Sequence, residues 1–232
     1  MICAVMQPYL FPYLGYFQLA SAVDRFVLCD DFQYTRKGWM NRNRFLQNGH
    51  ATLFTVPLKA DARDRDIRER EVAVEFEGGA LLRRFRAAYL RAPFLRETLG
   101  VVEAALQCES RNLFDFLEHT VRAVCSHLGI GTPLGRTSDL AVSAEQPKEE
   151  RLLALCRNLG ATQCINPIGG VKLYDKERFA RDGVELRFLE SQPFVYPQFG
   201  GEFVPSLSIV DVLMFNSLER VRAVLRTGYA LV

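Results

Sequence analysis

Histidine is scarce in this 232-residue chain: His50, His119 and His127 are too scattered for a metal-ligand signature. The six cysteines, Cys3, Cys29, Cys108, Cys125, Cys156 and Cys164, include no C-x-x-C pair. Their spacing suits neither a zinc knuckle nor a disulfide framework, so free thiols and no metal are expected. No stretch approaches the roughly 18–20 apolar residues of a membrane helix, which predicts a chain without a membrane span. The opening MICAVMQPYLFPY lacks a basic leader and is broken by prolines, which argues against a signal peptide and for a cytoplasmic location. Neither sign of charge dominates. Lys and Arg number 29 and Asp and Glu 27, giving +2, too balanced to imply a nucleic-acid partner. The Walker A, G-x-G-x-x-G and G-x-S-x-G motifs are all missing, so phosphate-loop, dinucleotide and hydrolase readings lack their usual supports.

What is present is ordinary globular material: hydrophobic residues at 49% and charged residues at 24% exclude disordered and fibrous classes. The length suits a single domain over 1–232. Ile2–Met6 and Arg25–Cys29 are short apolar runs that read as buried strands, and Leu14–Val23 between them has helical spacing, so the first thirty residues form a βαβ unit. Alternating runs at Asn41–Gln47 and Ala51–Leu58 flank Asn48-Gly49, the strongest short hairpin signal. They make an inserted β-hairpin over about 39–58. Ala60–Glu71 is densely charged and reads as a solvated loop, and Val72–Phe76 as an edge strand. A helical segment over about 78–129 follows, its last helix capped by Asn112 and stopped by Gly129. Strands at Leu134–Thr137, Gln163–Ile165 and Val184–Leu189 then alternate with helices at Glu149–Leu159 and Leu173–Arg181. Terminal helices cover Ser208–Phe215 and Ser217–Arg226, with Asn216 and Glu219 spaced as a capping box. The expected fold is a three-layer α/β domain with a mainly parallel, Rossmann-like sheet.

In such sheets ligands bind beyond the carboxyl ends of the strands. Gln7-Pro8-Tyr9, Asp30-Asp31, Ser138-Asp139, Asn166 with Gly169-Gly170, and Ser191-Gln192 stand at those ends. The first turn, QPYLFPYLG, carries two prolines and three aromatics. Tyr9, Phe11 and Tyr13 either wall a pocket or plug the sheet edge as core. Asp30 and Asp31 suit a base, a ribose or sugar-hydroxyl ligand or a divalent-cation ligand, or alternatively a turn or cap. Within Gln33–Asn43, Arg36, Lys37 and Arg42 suit a phosphate or carboxylate, and Trp39 suits stacking on a ring. Gly169 and Gly170 allow close approach of a ligand to the backbone, or a plain turn. Cys3, Cys29 and Cys164 fall in buried strands and read as core.

QPYLFPYLGYFQLASAVDRFVLCDDFQYTRKGWMNRNRF, NPIGGVKLYD and LSIVDVLMFN resemble the WbqC-like proteins, nearly end to end. The family pattern falls on Gln7, Pro8, Tyr9, Pro12, Gly15, Asp30, Asp31, Gln33, Tyr34, Trp39, Asn41, Arg42, Asn43, Asn166, Pro167, Gly169, Gly170, Tyr174 and Asp175. That family is associated with bacterial O-antigen and other surface-polysaccharide gene clusters, and transfer of glycine or another acyl group to an amino sugar has been suggested for it. The resemblance thus implies a transferase acting on a small molecule, a sugar nucleotide or an activated acyl donor. Asp30 or Asp31 would be the catalytic carboxylate. Arg42 and Lys37 would hold an anion, Asn41, Asn43 and Asn166 would orient polar groups, and Gln7, Tyr9, Tyr13, Gln33, Tyr34, Trp39, Gly169, Gly170 and Tyr174 would complete the substrate site. No cofactor follows from it. Two rivals stand beside this reading. One is nucleotidyl transfer, because the first βαβ unit is similar to that of H-x-G-H nucleotidylyltransferases although both histidines are absent. The other is a non-catalytic nucleotide- or sugar-binding module.

Overall fold

The computed structural model describes residues 1–62 and 65–232, so Arg63 and Asp64 of the charged stretch lie outside the described residues. In chain order, β1 (Ile2–Met6), α1 (Leu14–Ser21) and β2 (Arg25–Leu28) come first, then the hairpin β3 (Arg42–Gln47) and β4 (His50–Thr55). Three helices follow: α2 (Gly78–Ala88), α3 (Leu95–Leu106) and α4 (Leu113–Leu128). The last part runs β5 (Leu134–Arg136), α5 (Lys148–Asn158), β6 (Gln163–Pro167), α6 (Lys176–Arg181) and β7 (Glu185–Ser191), then α7 (Ile209–Phe215), α8 (Leu218–Thr227) and β8 (Tyr229–Leu231).

The fold is mixed α/β. A six-stranded sheet has the order β5-β2-β1-β6-β7-β8 and is parallel except for β8, and the hairpin forms its own two-stranded sheet. Alternation along the strands divides the apolar side chains between two faces. Cys3, Val5, Val27, Cys164 and Phe188 pack with Leu152, Leu155 and Cys156 of α5 and Phe179 of α6. Ala4, Phe26, Leu28 and Ile165 pack with α1, α4, α8 and the inner side of the hairpin. Burial of both faces explains why these strands read as continuous apolar runs rather than alternating ones. At the hairpin tip Asn48 and Gly49 both adopt positive φ, +52° and +78°, as a type I′ turn requires. The Asn112 side chain caps α4 by accepting from the Phe114 and Asp115 amides, and Gly129 ends it at φ +72°.

Several elements differ from the sequence reading. Val72–Phe76 forms no strand: Val72 bridges only Leu58, and the amides of Val72 and Ala73 go to Arg111 and Pro57, so no single partner sustains a ladder. The charged stretch is not solvated throughout, because Ile67 is fully buried in a short 3-10 turn. Another 3-10 turn, Ile168–Gly170, delays α6 until Asp175 caps it through the Glu177 amide. Ser217, not Asn216, caps α8, because the Asn216 amide instead donates back to the Val212 carbonyl. β8 had no signal, being three residues that pair only at the sheet edge.

Candidate functional site

The strand order reverses between β1 and β6: the chain leaves β1 toward β2 and later returns through α5 to β6 on the other side. Side chains and loops diverge at such a switch point, and a crevice opens beyond the strand ends. A cleft of about 440 Å³ lies there, within the range of small-molecule sites. Gln7 and Tyr9 follow β1. Asn166, Gly169, Gly170 and Tyr174 end or follow β6. Gln33 comes from the segment after β2, and all seven line this cleft. These seven sequence-predicted residues are brought together although Gln7 and Tyr174 stand far apart in the chain.

The fourth wall is α5. Lys148, Arg151, Leu152 and Leu155 lie three, four and seven positions apart, on one helical stripe, and all face the cleft. Arg151 is 3% exposed and Asp31 6%, and the Arg151 Nη2 to Asp31 Oδ2 distance is 2.6 Å. Burial works against the Asp31 carboxylate, but the Arg151 guanidinium and the Thr137 hydroxyl outweigh it and hold its carboxyl below the ordinary range. The Arg151 guanidinium also lies 4.7 Å from the Phe32 ring, while its Nε is covered and has no partner among the described residues. The acids beside it on α5 are drawn away: Glu149 accepts from the Asp175 amide, and Glu149 and Glu150 both pair with Arg178. Lys148 and Arg151 are therefore the charged side chains on the cleft wall, and the start of an eleven-residue helix adds its partial positive charge.

Neither aspartate expected as catalytic faces the cleft. Asp30, 3% exposed, accepts from Ser138 N at 3.0 Å and Ser138 Oγ at 2.5 Å, and shares the single Thr137 hydroxyl proton, 2.8 Å away, with Asp31, and so ties β2 to the turn after β5. Asp31 is consumed by Arg151 and Thr137. Both strand-end acids turn sideways toward the neighbouring β5 turn because its hydroxyls and amide satisfy them there.

The basic-aromatic segment also divides. Tyr34 donates to Asn41 Oδ1 at 2.8 Å and Asn41 Nδ2 donates to the Val56 carbonyl at 2.8 Å, a buried pair that fastens the hairpin. Asn43 is a clamp: Nδ2 reaches the carbonyls of Leu10 at 3.0 Å and Phe11 at 2.8 Å. Phe11 needs holding, because its φ of +41° is strained for a bulky residue, and Ser208 Oγ grips the same carbonyl at 2.8 Å. Phe11 is fully buried core, so the first turn both plugs the sheet edge and walls the cleft. Arg42 donates to the carbonyls of Gly38 and Lys37 and lies 5.8 Å from the Trp39 ring, while Lys37 points to solvent on an exposed loop. Tyr13 and Trp39, 41% and 40% exposed, border a smaller hollow of about 230 Å³ with Asn43, Arg44 and Ser206. Tyr9 lines both spaces and is their common wall. Gly15 makes room for this arrangement, since a Cβ there would stand 2.5 Å from the Tyr13 ring and 2.4 Å from Ser191 Oγ.

Among the described residues no carboxylate or histidine lines the main cleft. Burial pushes the phenols of Tyr9 and Tyr174 and the Cys29 thiol up, so all three stay protonated at neutral pH. The arrangement offers positive charge and flat aromatic faces. Sequence reasoning missed Lys148, Arg151, Phe32 and Thr35. The readable signal for Arg151 was a charge on the same helical stripe as Leu152 and Leu155.

The model of the WbqC-like protein family matches residues 7–223. The uncharacterized protein Rv1507c of Mycobacterium tuberculosis (strain ATCC 25618 / H37Rv) is 30% identical over 216 residues, covering 92% of either chain. No solved structure matches. No helix among the described residues is long and apolar enough to cross a membrane.

Proposed function

We propose, from the premise that the chain belongs to the WbqC-like protein family, that it is a group-transfer enzyme of bacterial surface-polysaccharide (O-antigen) assembly whose switch-point cleft binds an activated, anionic donor. Arg151 carries the reading. Its guanidinium and Lys148 put two cations on a cleft wall that no carboxylate of the described residues lines. A phosphate oxygen in the cleft would be held by Lys148 and the amides at the start of α5 and drawn by the Arg151 charge. Tyr9, Phe32 and Tyr174 offer flat faces to a base or sugar ring, and Gln7, Gln33 and Asn166 offer amides to hydroxyls and carbonyls. We take the chain as one cytoplasmic domain of the Rossmann-like, three-layer kind.

The acceptor, an amino sugar, fits the hollow between Tyr13 and Trp39, across Tyr9 from the donor. Transfer then needs the unprotonated amine to attack the donor carbonyl. A C–N bond forms, the leaving group departs with the bond pair, and the ammonium proton passes to solvent. The chain contributes proximity and charge stabilisation rather than a general base. The lack of a carboxylate or histidine among the described residues of the cleft favours a second reading, a non-catalytic nucleotide- or sugar-binding module. Thermal-shift and calorimetric titrations with nucleoside diphosphates, nucleoside-diphosphate sugars and an acyl thioester test the binding. Phosphate-bearing ligands are expected to stabilise the protein, and Lys148→Glu to weaken them. Product formation detected by mass spectrometry with an amino-sugar acceptor separates enzyme from module. Failure of every phosphate-bearing ligand to bind would overturn the donor reading and the nucleotide form of the module.

A further inference from the structure

Three of the six cysteines meet at one point although they stand at positions 3, 156 and 164. Cys3 on β1 and Cys164 on β6 are direct neighbours in the parallel register, on the face that α5 covers, and α5 contributes Cys156. The three Sγ atoms lie within 4.8 Å of one another, and Cys3 and Cys156 are 3.7 Å apart. All three residues are fully buried and carry free thiols. Zinc–sulfur bonds of about 2.3 Å in a tetrahedron set sulfurs about 3.8 Å apart, so the Cys3–Cys156 spacing already matches two ligands of one ion.

We propose that Cys3, Cys156 and Cys164 form a thiolate site for a divalent, thiophilic d10 cation of the zinc class, set beneath the floor of the cleft. Soft thiolate donors select such ions over magnesium or calcium. The charge state follows from the surroundings. Three thiolates around a monovalent ion leave two net negative charges, and around a divalent ion one. The neighbours are Val5, Val27, Leu155 and Phe188, so the smaller buried charge is favoured. Binding replaces three S–H protons by three metal–sulfur bonds and releases the protons to solvent. Asn166 joins the site to the cleft: it lines the cleft, and its amide Nδ2 lies 3.8 Å from Cys164 Sγ. An ion here would pin β1, β6 and α5 together, and those elements carry Gln7, Asn166 and Arg151. The sequence spacing gave no hint because the cysteines converge only through the sheet register and the packing of α5.

The test uses the reduced, full-length protein, stripped with a chelator and titrated with Cd²⁺. The site predicts an ultraviolet thiolate-to-cadmium charge-transfer band that saturates at one equivalent, release of three protons, and displacement of the cadmium by Zn²⁺. Zn²⁺ should also raise the melting temperature of the wild type. Cys156→Ser and Cys164→Ala should each remove the one-equivalent band, whereas Cys125→Ser, on α4 in the other apolar cluster, should keep it. No saturable band in the wild type, or one that survives both substitutions, would show that the three thiols only fill the core. The wild-type titration decides the matter even where a variant fails to fold.

Discussion

Replacing Arg151 with methionine removes the cation from a pair in which both partners are buried, at 3% and 6% exposure. Asp31 then keeps its Thr137 hydrogen bond but loses its counter-ion. Removing one member of a buried pair costs about 3–5 kcal/mol, because the stranded charge is the expensive part. The double variant Arg151→Met/Asp31→Asn carries no stranded charge, so it should stand within about 1–2 kcal/mol of the wild type. The pH dependence follows from the same physics. In the native protein the folded Asp31 pKa lies below its unfolded value. The pair therefore stabilises the fold above the unfolded carboxyl pKa of about 3.9 and loses that contribution as pH falls through the folded value. In Arg151→Met burial is no longer opposed by the guanidinium, the folded pKa rises above the unfolded one, and the sign reverses. The deficit of the single variant should grow from pH 4 toward pH 7 and shrink in acid. Urea unfolding followed by far-ultraviolet circular dichroism at both pH values measures this. A single variant within about 1 kcal/mol of the wild type at neutral pH, or a deficit independent of pH, would show that Arg151 does not neutralise a buried Asp31.

Asn43→Ala should cost about 2 kcal/mol and speed amide exchange at Leu10 and Phe11, since it releases the carbonyls that hold the positive φ of Phe11. Asp30→Asn should lower stability by about 1–3 kcal/mol, because it turns an amide N–H toward Thr137 and Ser138 donors; denaturant midpoints should fall at unchanged slope. Lys148→Glu, on the exposed rim, should weaken phosphate-bearing ligands about tenfold, or about 1.4 kcal/mol, with the melting temperature nearly unchanged, as calorimetry and thermal unfolding would show. Leu28→Ala, in the core beneath the same loops, should cost about 2–5 kcal/mol in urea unfolding.

Much of the frame was legible because its signals are local. The apolar runs of β1 and β2, the Asn48-Gly49 turn and the Asn112 and Gly129 boundaries of α4 depend on a few adjacent residues each. The gathering of Gln7, Tyr9 and Asn166 was legible for a different reason: parallel strands place their carboxyl ends on one side. What failed depended on lateral partners. Asp30 and Asp31 stand at a strand end, as expected, yet the β5 turn reaches them before the cleft does. Asn41 and Asn43 look like ligand-binding amides but satisfy carbonyls within the fold. Arg151 was hidden inside a helical pattern, since helix spacing reveals a face and not the aspartate waiting opposite it.

Amide hydrogen exchange with and without a saturating nucleoside diphosphate locates the ligand on the fold. With the donor in the switch-point cleft, protection is expected at Gln7–Tyr9, at the first turn of α5 and at Asn166–Gly170, and none at the hollow near Gly129 and Arg222. Protection at that hollow, with the ends of β1 and β6 and the start of α5 unchanged, would move the ligand elsewhere and overturn the assignment.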